Sequence, residues 1–178
     1  MEGAKPAPRG LVEDKFGRSW DEVAGLTDDH TMAVQSWLPT RTPRAARFEG
    51  LGVTAGSSGI PISLLNLALG SDYPPGTGDE VIAEEIEAVK AFFARRKVPW
   101  YWWLGPFPRP YDVARRLERR GLRFDRPALP AMAAPLPAER PELNSEAQVW
   151  LAAGRADLEA ASAIRRIAFR FPEGVALD

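Results

Sequence analysis

The stretch Val98-Pro-Trp-Tyr-Trp-Trp-Leu-Gly-Pro-Phe-Pro-Arg-Pro110 is the most informative part of the sequence about its fold, because it joins an aromatic, strand-forming run to the start of a helix. The run Val98–Leu104 predicts a short buried strand, which Gly105 and Pro106 end. Pro110 suits the first position of a helix, where its missing N–H costs no hydrogen bond. A buried strand followed directly by a helix is typical of an α/β layout.

Helical spacing marks the segments on both sides of this strand. Before it, apolar residues recur at i, i+4, i+7 and i+11, which predicts one buried stripe. These residues are Ile82, Ile86, Val89 and Phe93. Thr77 and Glu80 have the spacing of a capping box at the start of that helix. After the strand, Gly121 is placed to end the next helix, and Leu122 to make the hydrophobic contact of a Schellman cap.

Two further helices are predicted near the N-terminus. Ser19 and Glu22 have the spacing of a capping box, in which each side chain satisfies a backbone amide at the helix end. Gly25 is expected to interrupt this helix, and Thr27 to cap a second one that extends to about Leu38.

Between these helices and the central one, the sequence predicts two antiparallel strands. Residues 48–54 alternate weakly, and residues 60–69 are rich in branched apolar side chains, as expected for a central strand. The glycines of the Gly56–Gly59 segment permit a tight reversal between them. A last strand is predicted within residues 130–136. The resulting order of helices and strands predicts an α/β fold with one mixed sheet.

The remaining sequence predicts a linker and a partial second domain. Residues 15–136 are expected to form the first domain, followed by a Pro-rich linker at 137–146. Residues 147–152 predict a strand, and Ala156–Phe171 predicts an amphipathic helix. Because one strand and one helix cannot enclose a core, residues 147–178 are interpreted as the start of a second domain or as a docking arm.

Composition excludes several classes of function. The 178 residues include 23 basic and 24 acidic side chains, a net charge of −1, which argues against sequence-independent nucleic-acid binding. The absence of cysteine excludes disulfides, zinc–thiolate sites and thiol nucleophiles. No metal site is predicted.

Membrane association is not predicted either. The polar N-terminus lacks the apolar region of a signal peptide. Residues 51–71 carry no charge but contain glycines, serines, Pro61 and Asn66, which would leave polar groups unsatisfied in lipid. The expected location is the cytoplasm.

The tryptophan-rich stretch, continued through Leu117, Gly121 and Met132, resembles the N-terminal half of two-domain proteins in the GNAT acetyltransferase superfamily. In that group a "vPwxWWxGPxxrP" stretch follows a helix and precedes a short "LxxxGL" helix. Asn66 in Leu-Leu-Asn-Leu-Ala resembles the "N-x-V/L" of the preceding strand. Residues 156–174 resemble the first helix of the second, catalytic half, so that the resemblance covers about residues 15–174.

The resemblance implies a GNAT-like fold, in which a mixed, mostly antiparallel sheet is flanked by helices. It also implies acetyl-CoA as cofactor and acetyl transfer to an amine in the complete protein. This chain would then contribute a wall of the substrate site, and its partner would be the missing C-terminal half.

In this family an Arg/Gln-x-x-Gly-x-Gly/Ala loop opening the central helix holds pyrophosphate on backbone N–H groups. The corresponding residues 70–80 begin without Arg or Gln, and Pro74 and Pro75 lack two N–H donors. The nearby glycine-rich stretch, residues 50–59, lies in the predicted hairpin instead. Carboxylates that would repel an anion are Asp72, Asp79 and Glu80. We therefore expect this half not to bind acetyl-CoA and to be inactive alone.

Candidate residues of a substrate pocket lie within two predicted strands and in the loop that follows the second. They are Asn66, Trp102, Trp103, Gly105, Pro106 and Arg109. Each also has a structural interpretation. The tryptophans can be core residues, and since successive side chains of a strand alternate, Trp102 and Trp103 must face opposite sides. The glycine, proline and arginine can form a simple strand-to-helix turn, and Asn66 can bind backbone groups within the sheet.

Other features favour structural interpretations over functional ones. His30 has no titratable partner nearby in sequence, and Tyr111 is only a weak match to the acid tyrosine of GNAT enzymes. The basic face of Arg115, Arg116, Arg119, Arg120 and Arg123 is diluted by acidic neighbours. The alternative to an acetyltransferase is a non-enzymatic module that docks to a partner or a second copy through helix 156–171. Its contact residues would be Leu158, Ile164, Ile167 and Phe171.

Overall fold

The computed structural model describes residues 9–37, 42–125, 133–134, 148 and 150–169. The chain divides into two compact units, Met1–Leu136 and Pro137–Asp178. Within the described ranges, the first unit is a mixed α/β structure with a four-stranded sheet, and the second contains one helix.

Two helices precede the sheet, α1 (Arg9–Phe16) and α2 (Trp20–Trp37). The predicted capping box is confirmed at the start of α2. The Ser19 amide donates to the Glu22 carboxylate at 2.8 Å, and the Glu22 amide donates to the Ser19 hydroxyl at 3.3 Å. The Ser19 hydroxyl also donates to the Glu22 carboxylate at 2.8 Å, and the bonds from the Ser19 amide and then from this hydroxyl lower the pKa of Glu22.

The predicted interruption at Gly25 is wrong, because α2 continues through it without a break. Thr27, expected to cap a new helix, instead donates its hydroxyl to the Val23 carbonyl at 2.7 Å. Thr31 makes the same contact with the Thr27 carbonyl at 2.9 Å. Hydroxyls satisfied one turn back allow threonine to remain inside a helix.

Four strands form the sheet in the order β1-β2-β3-β4. They are β1 (Ala46–Glu49), β2 (Val53–Ser57), β3 (Asn66–Gly70) and β4 (Tyr101–Trp103). The first three pair as an antiparallel meander, with Ala55 opposite Phe48 on one side and Ala68 on the other. β4 pairs with β3 in parallel, with Trp102 opposite Ala68.

The predicted bounds of the first strands need correction. The expected strand at 48–54 is divided by a turn at residues 50–52, where the Gly50 amide donates to the Val53 carbonyl at 2.8 Å. Gly56 lies inside β2, and the chain reverses over residues 58–65 instead of Gly56–Gly59. Much of the expected strand at 60–69 is therefore loop and a 3₁₀ turn, Ser63–Leu65. Pro61 cannot donate to a ladder, which favours the loop.

Helix α3 (Asp79–Arg96) connects β3 to β4, and its predicted apolar stripe is confirmed as buried. The predicted capping box at its start is wrong. The Thr77 hydroxyl donates to the Pro74 carbonyl at 2.7 Å, and Gly78 caps the helix without a side-chain hydrogen bond. The Thr77 hydroxyl is therefore bound within the Pro74–Thr77 turn and does not cap the helix, as a capping box requires.

Helix α4 (Val113–Arg119) starts later than predicted, so that Pro110 precedes the helix instead of being its first residue. Its end agrees with the prediction. The Leu122 amide donates to the Leu117 carbonyl at 3.2 Å, and the Gly121 amide to the Glu118 carbonyl at 2.9 Å. This is the Schellman hydrogen-bond pattern, and Gly121 has the required positive φ of 86°.

Helix α3 covers one face of the sheet and α2 contacts the other. Against α3 lies a core of Val53, Ala55, Ala68, Val89, Phe92 and Phe93. A second core links α3 to α4 through Tyr73, Ile82, Ile86, Val113 and Leu117. Trp102 packs against both cores and so connects them.

The second unit contains α5 (Arg155–Phe169), which agrees with the predicted helix as far as the described residues extend. The strand predicted at 147–152 is not formed at its described positions, Gln148 and Trp150–Ala152. Among the described residues of this unit, α5 is the only helix or strand. Phe171 and most of the strand predicted at 130–136 lie outside the described residues.

A helix long and apolar enough to cross a bilayer does not occur among the residues that the structure describes.

Candidate functional site

The candidate site lies where β3 and β4 end. The pairing of these strands stops at Leu69 and Trp103, and the segments that follow them pair again at a single bridge between Asp72 and Arg109. The Arg109 amide donates to the Ser71 carbonyl at 2.6 Å, and the Tyr73 amide to the Arg109 carbonyl at 3.1 Å. The loop at residues 104–108 therefore projects beyond the paired strands.

Arg109 fixes this loop through its backbone rather than its side chain. Its guanidinium Nε lies 3.4 Å from an Asp72 carboxylate oxygen, and both side chains are exposed. An exposed ion pair contributes little to stability. The guanidinium is therefore available at the surface, and Pro106 in the same loop is also exposed.

The tryptophans have mainly structural contacts. The Trp102 indole N–H donates to the Gly70 carbonyl and to the Ser71 hydroxyl, each at 3.1 Å. Trp100 stacks on Phe93 with ring centroids 4.6 Å apart. Because strand side chains alternate, Trp103 lies on the opposite face from Trp102, beside its register partner Leu69.

Asn66 is fully buried and uses all of its hydrogen-bonding capacity within the protein. Its side-chain oxygen accepts from the Ser57 hydroxyl at 2.9 Å and the Ser58 amide at 3.1 Å. Its side-chain nitrogen donates to the carbonyls of Ile60 and Ile62, each at 2.8 Å, and to that of Pro99 at 3.1 Å. No polar atom of Asn66 is left to orient a ligand, so this residue is a structural tie.

Gly105 faces a carboxylate that the sequence interpretation missed. A methyl group on Gly105 would overlap the carboxylate oxygens of Asp28, which projects from α2. Asp28 is half-buried. Burial raises its pKa, and the neighbouring charge of Asp29 raises it further. Asp28 lies in a polar run with Asp29 and His30, so nothing in the sequence distinguishes it from its exposed neighbours.

The loop before α3 contains two glycines with free space beside them, and the first turn of the helix carries negative charge. Gly76, with φ of 84°, and Gly78 both have open space beside them. Their Gly-x-Gly spacing matches the end of the loop that the resemblance implies, and the sequence interpretation overlooked it. Asp79 and Glu80 occupy the first turn of α3, and the Asp79 carboxylate accepts from the Arg116 guanidinium at 2.8 Å.

A buried carboxylate under the β1–β2 turn also has a structural role. The Glu85 carboxylate accepts from the amides of Gly52 and Val53 at 3.2 and 3.1 Å. Tyr73 lies against the same turn, and its buried hydroxyl has no hydrogen-bond partner. Burial, followed by the charge of Glu85, raises the pKa of Tyr73. These groups fix the turn and leave no acid–base pair exposed to a substrate.

A cavity of about 220 Å³ opens between α2 and the sheet. It is lined by Met32, Ala33, Ser36, Arg47, Thr54 and Leu69. Its single cation, Arg47, is paired with Glu49, which also accepts from the Thr54 hydroxyl at 3.1 Å. The cavity therefore offers a ligand a small apolar surface, and its charged group, the Arg47 guanidinium, already has a partner.

The remaining sequence candidates do not assemble into a catalytic centre. His30 is exposed, and Tyr111 is 92% exposed. Arg116, part of the predicted basic face, is held between Asp79 and Asp112 at 2.8 Å from each. The hydrogen bond from the Arg116 guanidinium lowers the pKa of the Asp112 carboxyl. In the described part of the chain, no three His, Asp or Glu side chains are grouped as metal ligands would be.

A scan against protein-family models, a search of curated proteins and a search of solved structures each found no significant match to this chain.

Proposed function

We propose that the first unit is a GNAT-like domain that does not itself bind acetyl-CoA and that forms a non-catalytic wall of an N-acetyltransferase. The observation that carries this proposal is the β3–α3–β4 unit. It joins parallel strands through one helix and places the Trp-Trp-x-Gly-Pro motif, Trp102–Pro106, at its end. The antiparallel meander and the two preceding helices are compatible with the same fold.

The charges at the start of α3 support a non-catalytic role. A helix N-terminus attracts phosphate because its free amides and dipole are positive. Here the carboxylates of Asp79 and Glu80 supply negative charge at that end, and Arg116 already neutralises Asp79. A pyrophosphate approaching Gly76 and Gly78 would meet repulsion from the Glu80 carboxylate, although the space beside both glycines is open.

Thermal denaturation with and without acetyl-CoA tests the loss of cofactor binding. With a ligand at 1,000 times its Kd, a single site gains about 4 kcal/mol and the Tm rises by several degrees. We expect millimolar acetyl-CoA to change the Tm of this chain by less than about 1 °C, since no intact cradle stabilises the folded state. A catalytic acetyltransferase is the positive control. A clear, saturable rise for this chain would show that the cradle is functional.

The transferase part of the proposal needs the complete protein. Because this chain has no cysteine, a thiol reagent detects released CoA without a background from these residues. We expect CoA release with at least one member of a primary-amine panel in the complete protein, and none in the present chain alone. Release by neither would contradict the proposed reaction.

A second candidate function is docking through α5. Leu158, Ile164 and Ile167 are 56%, 68% and 76% exposed, and none of the described residues of this helix is buried. Exposed apolar faces of this kind mark interaction sites. The occupant we propose is a second copy of the chain, which carries the same face.

The oligomeric state tests this docking. Light scattering at about 100 μM, a concentration at which micromolar association is saturated, is expected to give a dimer. The double variant Ile164→Asp and Ile167→Asp is expected to be monomeric, because it places charge in the apolar face. The control Glu159→Lys, on the polar face, is expected to leave the dimer intact. A monomeric unmodified chain would contradict self-association.

A further inference from the structure

Helix α2 buries much less of itself than α3, although the two helices have the same length. Each contains 18 residues, and six residues of α3 are buried, whereas none of α2 is. The cavity of about 220 Å³ lies under α2, where it is lined by Met32 and Ser36 of the helix and by Leu69 of β3. Atoms that line a void lack packing contacts on that side, so the cavity weakens the attachment of α2 to the sheet.

The side of α2 that faces the sheet is mainly polar. Four residues have the i, i+4, i+7 and i+8 spacing of one helix face, namely Asp28, Met32, Gln35 and Ser36. This face points inward, because Met32 and Ser36 line the cavity and Asp28 lies against Gly105. The buried side-chain oxygen of Gln35 finds no hydrogen-bond partner among the described residues. A buried polar group without a partner opposes the docking of the helix.

The large apolar side chains of α2 lie mostly on its exposed side. Leu26, Val34 and Trp37 are 55%, 45% and 53% exposed. Their spacing of eight and then three residues places them on one face of the helix. Beneath the opposite, polar face, Leu69 is only 2% exposed. The helix therefore covers an apolar part of the sheet while burying little apolar surface of its own, and it gains little free energy from docking.

We propose that α2 is a detachable cover, which leaves the sheet while the four strands and α3 stay folded, and which thereby uncovers Leu69. Opening also withdraws Asp28 from Gly105 and so frees one side of the loop at residues 104–108. An element with few buried apolar contacts opens at a lower free energy than the whole domain. The inference does not depend on the acetyltransferase proposal, because neither a cofactor nor an amine takes part in the opening.

Native-state hydrogen exchange of the unmodified chain measures the opening. The amides of Met32 and Ala33 lie within α2, and the reference amides are those of Val89 and Phe93 in α3, whose side chains are fully buried. The protection factors in α2 are expected to be at least about 100-fold lower than those in α3. Equal protection in the two helices would show that α2 opens only with the whole domain, and would overturn the proposal.

Thiol labelling separates detachment of α2 from a loss of its hydrogen bonds in place. The chain has no cysteine, so Leu69→Cys introduces a single thiol under α2. The matched control, Val89→Cys, introduces one under α3. After correction for the global unfolding of each variant in urea, a bulky thiol reagent is expected to label Leu69→Cys at least about 100-fold faster. Weak protection of α2 without this faster labelling would contradict detachment.

Filling the cavity is expected to hold α2 in place. Ser36→Leu adds an apolar side chain beside Met32 and Leu69, and is expected to raise the protection factors in α2 at least about tenfold. The control His30→Leu brings a similar gain in helix propensity on the exposed side of the same helix, and is expected to change them by no more than about threefold. Equal gains in the two variants would show that the cavity does not limit docking, contrary to the proposal.

Discussion

Replacing Asn66 with leucine is expected to lower the free energy of unfolding by about 3–5 kcal/mol, which places this variant among the most destabilised. The amide of Asn66 satisfies a hydroxyl and an amide with its oxygen, and three carbonyls with its nitrogen. Leucine has nearly the same shape and makes none of these bonds. The buried groups around it would then remain unpaired, each with a desolvation penalty of about 1–3 kcal/mol.

Urea unfolding followed by tryptophan fluorescence measures this loss, since Trp100 and Trp102 report on the core. Thr54→Ala is the matched control. It removes a hydroxyl from the same sheet, but the hydrogen bond to Glu49 is exposed, so a change below about 1 kcal/mol is expected. Similar losses in the two variants would show that Asn66 is not the tie described above.

Gly52→Ala is expected to lower the free energy of unfolding by about 2–3 kcal/mol, because the new methyl group meets a buried ring. An ideal Cβ at Gly52 lies 2.5–2.8 Å from three ring atoms of Tyr73. The ring is 3% exposed and packs in the core between α3 and α4, so it cannot retreat without disturbing Ile82 or Val113. Gly52 has no positive φ, and the loss therefore measures the contact itself.

Gly25→Ala is the control for this substitution. Gly25 lies inside α2 and has nothing within 4 Å of an added Cβ. Alanine there is expected to raise the free energy of unfolding by about 0.5–1 kcal/mol, through its higher helix propensity. The two glycine substitutions should thus have opposite signs in the same urea experiment. A neutral Gly52→Ala would show that the Tyr73 ring is free to move.

Periodicity predicted the elements whose surroundings are simple. The stripe from Ile82 to Phe93 is read correctly because α3 buries one face along its whole length. Gly121 and Leu122 are read correctly because a Schellman cap depends only on local backbone geometry. These features are fixed by residues close in sequence.

Features that depend on distant partners were not predicted. The loop at residues 58–65 takes its form from Asn66, whose side chain also binds Pro99, far along the chain. The turn at Gly50–Gly52 depends on Glu85 from α3. Neither contact leaves a periodic signal, so the sequence interpretation placed the reversal in the wrong position.

The candidate site shows the same division. Its location at the end of β4 follows from the Gly-Pro pair, but its contents depend on which side chains the fold brings there. Asn66 proved to be fully occupied within the sheet. Asp28, on α2, lies against Gly105 although more than 70 residues separate the two in the sequence. Spacing arguments do not extend to a contact of that range.

The parallel pairing of β4 has a consequence for the order in which the domain folds. β1, β2 and β3 each pair with a neighbour in sequence, whereas β4 reaches β3 only after residues 71–100 have formed a crossover. Closing a long loop costs more entropy than closing a short one, so we expect the meander to form first and β4 to join last. The ends of β3 and β4 carry the candidate site. The site is therefore completed by the last strand to dock, and local opening of β4 would dismantle it while the meander remains folded.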